Sequence, residues 1–181
     1  MTAHPLSLVR TISRSGPPKA GRHTLSELDI GRFGKRTTVF MPTGSAIDEI
    51  LALAGRKLRG LAAGSIVHKV ASHNPDTLWA IAHKDAYDTV APNGEGFVAF
   101  LMLNENGLQQ LLDGTLNRAD PDLALLAAQN ERPAAIYTWA LFAPDGLVGA
   151  IPLIYDKLCT PLYAGVSMFA WAATPIAVPI M

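Results

Sequence analysis

Two apolar runs, residues 134–143 and 147–155, dominate the hydrophobic pattern of the chain and flank the sequence Pro-Asp-Gly at 144–146. A short link that contains glycine, between runs rich in β-branched and aromatic residues, is typical of a β-hairpin. Because both runs are apolar at nearly every position, the pattern predicts strands that are buried on both faces. We therefore expect this hairpin to form the centre of a sheet that is covered by helices.

Short apolar runs and amphipathic stretches alternate along the rest of the chain. Ser45 is a candidate helix N-cap, and the acidic Asp48 and Glu49 that follow it suit the first turn of a helix. Asn74 followed by Pro75 is also a typical helix start. The predicted fold class is therefore α/β, with a single mixed, mostly antiparallel sheet flanked by helices. Besides the hairpin, the pattern predicts strands at 37–41, 65–71, 97–103 and 166–173, and helices from Ser45, from Asn74 to about Tyr87, around 108–112 and from Asp120.

The length of 181 residues and the apolar content of 49% are enough for one domain with a sizeable core. The formal net charge is zero, but residues 1–36 contain seven Lys or Arg against two Asp or Glu, which leaves +5 on that segment and −5 on the remainder. We expect residues 1–36 to form a basic, largely mobile arm and residues 37–181 to form a single α/β domain. Such an arm suits docking on the acidic body or on an anionic surface. Its early charges lack interleaved aromatic residues, so we do not expect nucleic acid as a partner.

Cysteine usage and hydropathy bear on the compartment. Cys159 is the one cysteine of the chain, so an internal disulfide is excluded and a reducing compartment fits. We expect this cysteine to be a small buried hydrophobe rather than a nucleophile. No uninterrupted apolar run reaches the roughly 18 residues of a membrane span, and the start lacks the apolar block of a signal peptide. The sequence therefore predicts a cytoplasmic protein that does not enter a membrane.

Common catalytic and ligand-binding motifs do not occur in the sequence. No two of the five histidines have the i, i+4 spacing with a carboxylate that marks zinc enzymes, so we expect no metal. A P-loop, a G-x-G-x-x-G fingerprint and a G-x-S-x-G elbow are also missing. Polar residues at the predicted ends of strands and helices can face a cleft, although ordinary loop polarity explains them equally well. These residues are Glu95, Asn104, Glu105, Asn130 and Glu131.

The predicted order of elements resembles the front half of the GNAT N-acyltransferase superfamily. The residues that carry the resemblance are 65–87, the strand GFVAFLML at 96–103, the hairpin at 136–153 and the strand SMFAWAAT at 167–174. In that family the second hairpin strand lines the pantetheine of acetyl-CoA, and a following glycine-rich turn at a helix N-terminus holds the pyrophosphate. The resemblance thus implies acetyl-CoA as cofactor and a small-molecule or peptide amine as acceptor.

The resemblance also implies roles for particular residues. Direct acyl transfer needs a carboxylate base for the amine and an acid at the leaving thiolate. Glu95 or Glu105 would be the base, and Tyr155 or Tyr163 the acid. The residues implied for cofactor binding are Ile151, Leu153 and Ile154 on the second hairpin strand, with Lys157 and Gly165 at the phosphates.

The chain departs from the family pattern after Leu153. The family signature, Arg or Gln, two spacers, Gly, one spacer, then Gly or Ala, is replaced by IYDKLCTPLYAG, and the later elements that usually add a tyrosine acid do not follow Thr174. An alternative interpretation is a non-catalytic binding or assembly protein with a degenerate or truncated acyltransferase fold. The predicted last strand would leave an apolar sheet edge, which a second subunit can cover, so we expect a homodimer.

Overall fold

The protein folds around one five-stranded sheet, and its computed structural model describes residues 35–144 and 146–170. The helices and strands are β1 (Thr37–Phe40), α1 (Ser45–Gly55), α2 (Gly64–His73), β2 (Leu78–His83), β3 (Gly96–Leu103), α3 (Glu105–Leu112), β4 (Ala135–Phe142), α4 (Ile151–Leu158) and β5 (Ser167–Ala170). Strands β1 to β4 are antiparallel neighbours in sequence order, and β5 pairs in parallel with β4. The predicted fold class, a mixed and mostly antiparallel sheet flanked by helices, is confirmed. The predicted arm lies almost wholly outside the described residues.

Strand β3 is the centre of the sheet and of the core. All 8 of its residues are buried, because β2 and β4 pair with its two edges and helical segments cover its two faces. Full burial of one Phe or Leu side chain contributes about 1.5–3 kcal/mol, so this strand contributes strongly to stability. A register shift between Ala99 and Phe100 marks a β-bulge against β4. The centre is therefore β3 rather than the predicted hairpin.

One face of the sheet, called here the α1 face, is covered by α1, α2 and α3. Ile47, Ile50 and Ala54 of α1 have helical spacing and are buried. They pack against Phe97 and Ala99 of β3. The same face continues with buried residues of α2, β3, α3 and β4, namely Val70, Leu101, Leu103, Leu111 and Tyr137.

The opposite face, called here the α4 face, is covered by the 3₁₀ turn Leu147–Ala150, by α4 and by the loop at 159–166. Leu147, Ile154 and Tyr163 from these segments are buried against Phe100 and Met102 of β3. Each face of the sheet thus has its own apolar layer. The sheet is the middle layer of three.

The predicted second strand of the hairpin, residues 147–155, is wrong. This segment forms the 3₁₀ turn and α4, and its buried residues Leu147, Ala150, Ile154 and Leu158 recur at helical spacing. Val148, in contrast, is 57% exposed. Pro152 sits in the first turn of α4, where a missing N–H costs little, whereas in a central strand it would remove a ladder bond.

The strand predicted at 65–71 and the helix predicted from Asn74 to Tyr87 are also wrong, because the two types of structure occur in the reverse order. Residues 65–71 lie within α2, which buries Val67 and Val70 at i, i+3 spacing. Asn74 caps the short 3₁₀ turn Pro75–Thr77, and its side chain accepts a bond from Asp76 N at 3.1 Å. Strand β2 follows directly.

The remaining predictions have mixed outcomes. The elements at 37–41, 97–103, 108–112 and 134–143 and the helix from Ser45 are confirmed, although the N-cap of that helix is Gly44. The helix from Asp120 is only a 3₁₀ turn, Leu123–Leu125, and the last strand is confirmed as far as Ala170, where the described residues end. Cys159 is exposed, so its predicted burial is wrong: it follows α4 as the C-cap, beyond the buried Leu158. Within the described ranges, no helix has the length and apolar character needed to cross a membrane.

Candidate functional site

Glu95 lies just before β3, beside the end of β2. Its Oε2 accepts a hydrogen bond from the backbone N of His83 at 2.7 Å, and His83 Nδ1 lies 2.9 Å from the same oxygen. The backbone N of Glu95 donates to Ile81 O at 2.8 Å. The carboxylate is therefore held in place by β2. The sequence pattern does not predict this pair, because it assigns the His83 segment to a helix.

Tyr163 lies at the other end of β2, in the loop after α4. Its side chain is 6% exposed, and its hydroxyl donates a hydrogen bond to Asp76 Oδ2. Burial, reinforced by the neighbouring Asp76 carboxylate, raises the pKa of the Tyr163 hydroxyl. Asn74 continues the network, since its Nδ2 donates to Ala127 O at 3.2 Å. These bonds tie the loop to the corner before β2 and to the segment before β4.

Glu95 and Tyr163 are not close enough to act as one acid–base pair. The first contacts His83 at the end of β2, and the second contacts Asp76 just before the start of β2. The 6 residues of β2 hold its ends roughly 16 Å apart at about 3.3 Å per residue. An acid and a base that serve one substrate must each lie within hydrogen-bond reach of it. Glu95 and Tyr163 therefore cannot act on one substrate as the predicted base and acid.

The other two predicted catalytic residues occupy separate surfaces. Glu105 is exposed in the first turn of α3, after the N-cap Asn104, on the α1 face. Tyr155 is on α4, 39% exposed, with its ring centroid 6.5 Å from that of Phe100. Partial burial raises the pKa of the Tyr155 hydroxyl. Glu105 and Tyr163 thus lie on opposite faces of the sheet, and neither forms a pair with Tyr155 among the contacts of the described residues.

The residues predicted to bind a cofactor lie on α4 and in the loop after it. Ile151, Leu153 and Ile154 belong to a helix, whose backbone bonds are made within the helix, so the strand on which their role rested does not exist. Ile154 is fully buried in the core. Lys157 lies in the last turn of α4, about 9 Å along the axis from Ile151. Gly165, with φ of 75°, lies in the loop before β5.

Arg132 organises that loop, although no motif in the sequence singles it out. Its guanidinium donates to the carbonyl oxygens of Pro161, at 3.1 Å, of Leu162, at 3.3 Å, and of Ala164. Three backbone acceptors are thereby satisfied by one side chain. The contact joins the segment before β4 to the approach to β5.

The turn after β4 joins a strand to a helical segment through a glycine. Gly146 has φ of 84°, and a Cβ at this position would meet no atom within 4 Å. Leu147 N donates to Pro144 O at 3.0 Å, and the 3₁₀ turn and α4 follow. The N–H groups at the start of a helical segment favour negative charge. The predicted hairpin loop is therefore a strand–glycine turn–helix junction.

A small apolar cavity opens on the α1 face, beside β4. Its volume is about 50 Å³, which is room for little more than a methyl group or one or two water molecules. The cavity is walled by the end of α1, the link to α2 and the strands, through residues that include Leu51, Leu61, Val67, Phe97 and Trp139. It offers no charged group for catalysis.

Comparisons of the chain with protein-family models, with curated proteins and with solved structures gave no match. The described residues also contain no group of three or more His, Cys, Asp or Glu side chains placed to hold a metal ion. The relationship to the GNAT superfamily therefore stays a prediction.

Proposed function

We propose that the chain is an acyl-CoA-dependent N-acetyltransferase-like protein that acts on an amine of a small molecule or peptide. The observation that carries this proposal is the unit β4–glycine turn–α4–β5, in which β4 and β5 pair in parallel. The resembled family places the pantetheine along a strand and the pyrophosphate at a glycine turn that opens a helix. The same order of elements occurs here, but at β4 rather than at residues 151–154.

The backbone of the turn fits the phosphate end of acetyl-CoA, whereas its side chains fit only in part. Gly146 takes the position of the first glycine of the family signature and leaves open space beside the turn. Ala143 stands where the family has Arg or Gln, and Val148 where it has Gly or Ala. The described part of β5 pairs with Ala135–Thr138 of β4, and the pantetheine would lie along β4 on the side of the turn.

The chain would bind and orient the cofactor rather than supply its reactive group. Acetyl-CoA brings an activated acyl thioester when it is bound. The positive end of the helical segment after Gly146 would attract the anionic end, and the backbone of β4 would fix the direction of the pantetheine. The exposed Cys159 is compatible with a cytoplasmic location, where thiols stay reduced. Cell fractionation against marker enzymes would test that location.

Thermal unfolding with acetyl-CoA is the direct test. A ligand at 100 times its dissociation constant stabilises by about 2.7 kcal/mol, which raises the Tm of a chain of this size by about 5–11 °C. In the variant Gly146→Glu the new carboxylate should repel the anionic end and abolish the shift. Gly114→Glu is the matched control, because Gly114 also has positive φ, 71°, and open space around it.

The results separate the proposal from its alternative. Stabilisation of the wild type and of Gly114→Glu, but not of Gly146→Glu, supports cofactor binding at the turn. No shift at millimolar acetyl-CoA would reject it. The alternative, a non-catalytic binding or assembly protein, is favoured by the dispersal of Glu95, Glu105, Tyr155 and Tyr163 over the described structure.

For either function we propose a homodimer, since β5 is the last described strand of the sheet.

A further inference from the structure

A second cavity lies at the end of the β1–β2 pair and is basic. Its volume is about 220 Å³, and it is lined by Lys35, Arg36, His83, Lys84 and Asp85. We call it the basic cleft. With histidine neutral, three cations face one carboxylate, so the lining carries a net charge of +2. None of its residues belongs to the glycine turn at Gly146.

The sheet register places two of these cations side by side. Thr37 is paired with His83, and the backbone N of Lys84 donates to Arg36 O at 2.9 Å. Arg36 and Lys84 are therefore opposite each other at the end of an antiparallel ladder, where Cβ atoms are about 5 Å apart. Like charges at such positions destabilise the pair of strands. An anion that lies between the two side chains would relieve this repulsion.

The nearby carboxylates form no close ion pair with these cations among the described residues. Among the described residues, neither Lys35, Arg36 nor Lys84 has an ion pair within 4.0 Å, although Asp85 lines the same cleft. The other neighbouring carboxylate, Glu95, is engaged through Oε2 with His83. Within residues 35–144 and 146–170, the two opposed cations thus form no ion pair, and an anion from solution could contact both.

We propose that the basic cleft binds a phosphate group, either as free phosphate or as part of a small phosphorylated ligand. A planar guanidinium offers two parallel N–H donors to an oxyanion, and an ammonium adds a mobile point charge. Pockets for whole ligands usually measure about 300–1,000 Å³. At about 220 Å³ the cleft accommodates one ionic group rather than a complete ligand. The proposal is independent of acetyl-CoA binding.

Titration with inorganic phosphate tests the site, with sodium chloride at matched ionic strength to account for screening. We expect a saturable rise in Tm, about 3–6 °C at ten times the dissociation constant. Backbone amide NMR signals of Arg36 and Lys84 should shift along the same curve. A second titration uses glycerol 3-phosphate in place of inorganic phosphate. Tighter binding of this ester than of phosphate indicates a phosphorylated ligand, and equal or weaker binding indicates the free anion.

The variant Lys84→Gln should lose the phosphate-dependent shift and, without phosphate, should melt above the wild type, because the opposed charges are gone. Lys57→Gln is the matched control, since Lys57 is also exposed and lies outside the cleft. It should keep the full phosphate response. The proposal is overturned if phosphate stabilises the wild type no more than chloride does, or if Lys84→Gln responds as the wild type does.

Discussion

Replacing Tyr163 with phenylalanine removes one hydrogen bond from the loop between α4 and β5 and leaves the ring in place. The hydroxyl donates to Asp76, and hydrogen bonds to charged groups contribute about 1.5–3 kcal/mol. Asp76 is half-buried, so water can replace part of the lost bond, and we expect a cost near the lower end of this range. With an m-value of about 2 kcal/mol/M, the urea midpoint at pH 7 should fall by roughly 0.7–1 M.

The same variant should change how stability depends on pH. Folding raises the pKa of Tyr163 above its ordinary value of 10.0. Above pH 10 the unfolded chain therefore loses this proton while the folded chain keeps it, so the unfolded state binds fewer protons and the free energy of unfolding falls as pH rises. The slope from this residue is at most about 1.4 kcal/mol per pH unit. Tyr163→Phe should lack that contribution, so its stability should approach that of the wild type above pH 10.

Urea unfolding at pH 7 and at several values between pH 9 and 11 is the assay. Tyr155→Phe is the control at pH 7, because Tyr155 is 39% exposed and its hydroxyl makes no hydrogen bond within the described residues, so its loss should change stability by less than about 0.5 kcal/mol. Equal midpoints for Tyr163→Phe and the wild type at pH 7 would show that the bond to Asp76 contributes nothing. Parallel curves above pH 10 would show that Tyr163 titrates alike in both states.

Two further predictions concern packing and assembly. Gly107→Ala should destabilise the fold by more than about 1 kcal/mol, because the new Cβ would lie 2.2 Å from Leu125 O. Gly55→Ala should stabilise the fold by about 0.5–1 kcal/mol, because Gly55 is helical and has open space around it. Equal urea midpoints for the two variants would contradict this packing. Sedimentation velocity over a concentration series should show a dimer that dissociates on dilution, and a strictly monomeric species throughout would count against self-association through the sheet edge.

Element boundaries followed from the sequence where one type of structure was much more favourable than the other. GFVAFLML is eight residues long, rich in aromatic and aliphatic side chains and followed by Asn104, which favoured a strand. Ser45 followed by Asp48 and Glu49 favoured the start of a helix. The segment at 65–87 was ambiguous, because SIVHKVA and LWAIA suit both types by local pattern. Tertiary packing decided between them: Val67 and Val70 meet the sheet from a helix, while Leu78 to Ala82 are buried between two strands.

The candidate site was less predictable than the fold, because it depends on which distant residues meet. Glu95 was predicted at the end of an element and lies directly before β3, but its partner His83 was assigned to a helix. Gly146 was assigned to a hairpin loop because the nearly continuous apolar run from Leu147 to Tyr155 was predicted to be a strand. The helical spacing of Leu147, Ala150 and Ile154, together with Pro152, was the signal that could have identified the glycine turn.

The central position of β3 has a consequence for synthesis of the chain. β3 ends at Leu103, and β4 begins at Ala135, so 31 residues must be made between the two neighbours before pairing can start. During that interval the nascent chain presents an eight-residue strand with one free edge and without the cover that α4 later provides. Unpaired apolar strands of this kind are templates for association between chains. The fold thus leaves the ribosome-bound chain with an unpaired apolar strand until residues 135–158 emerge.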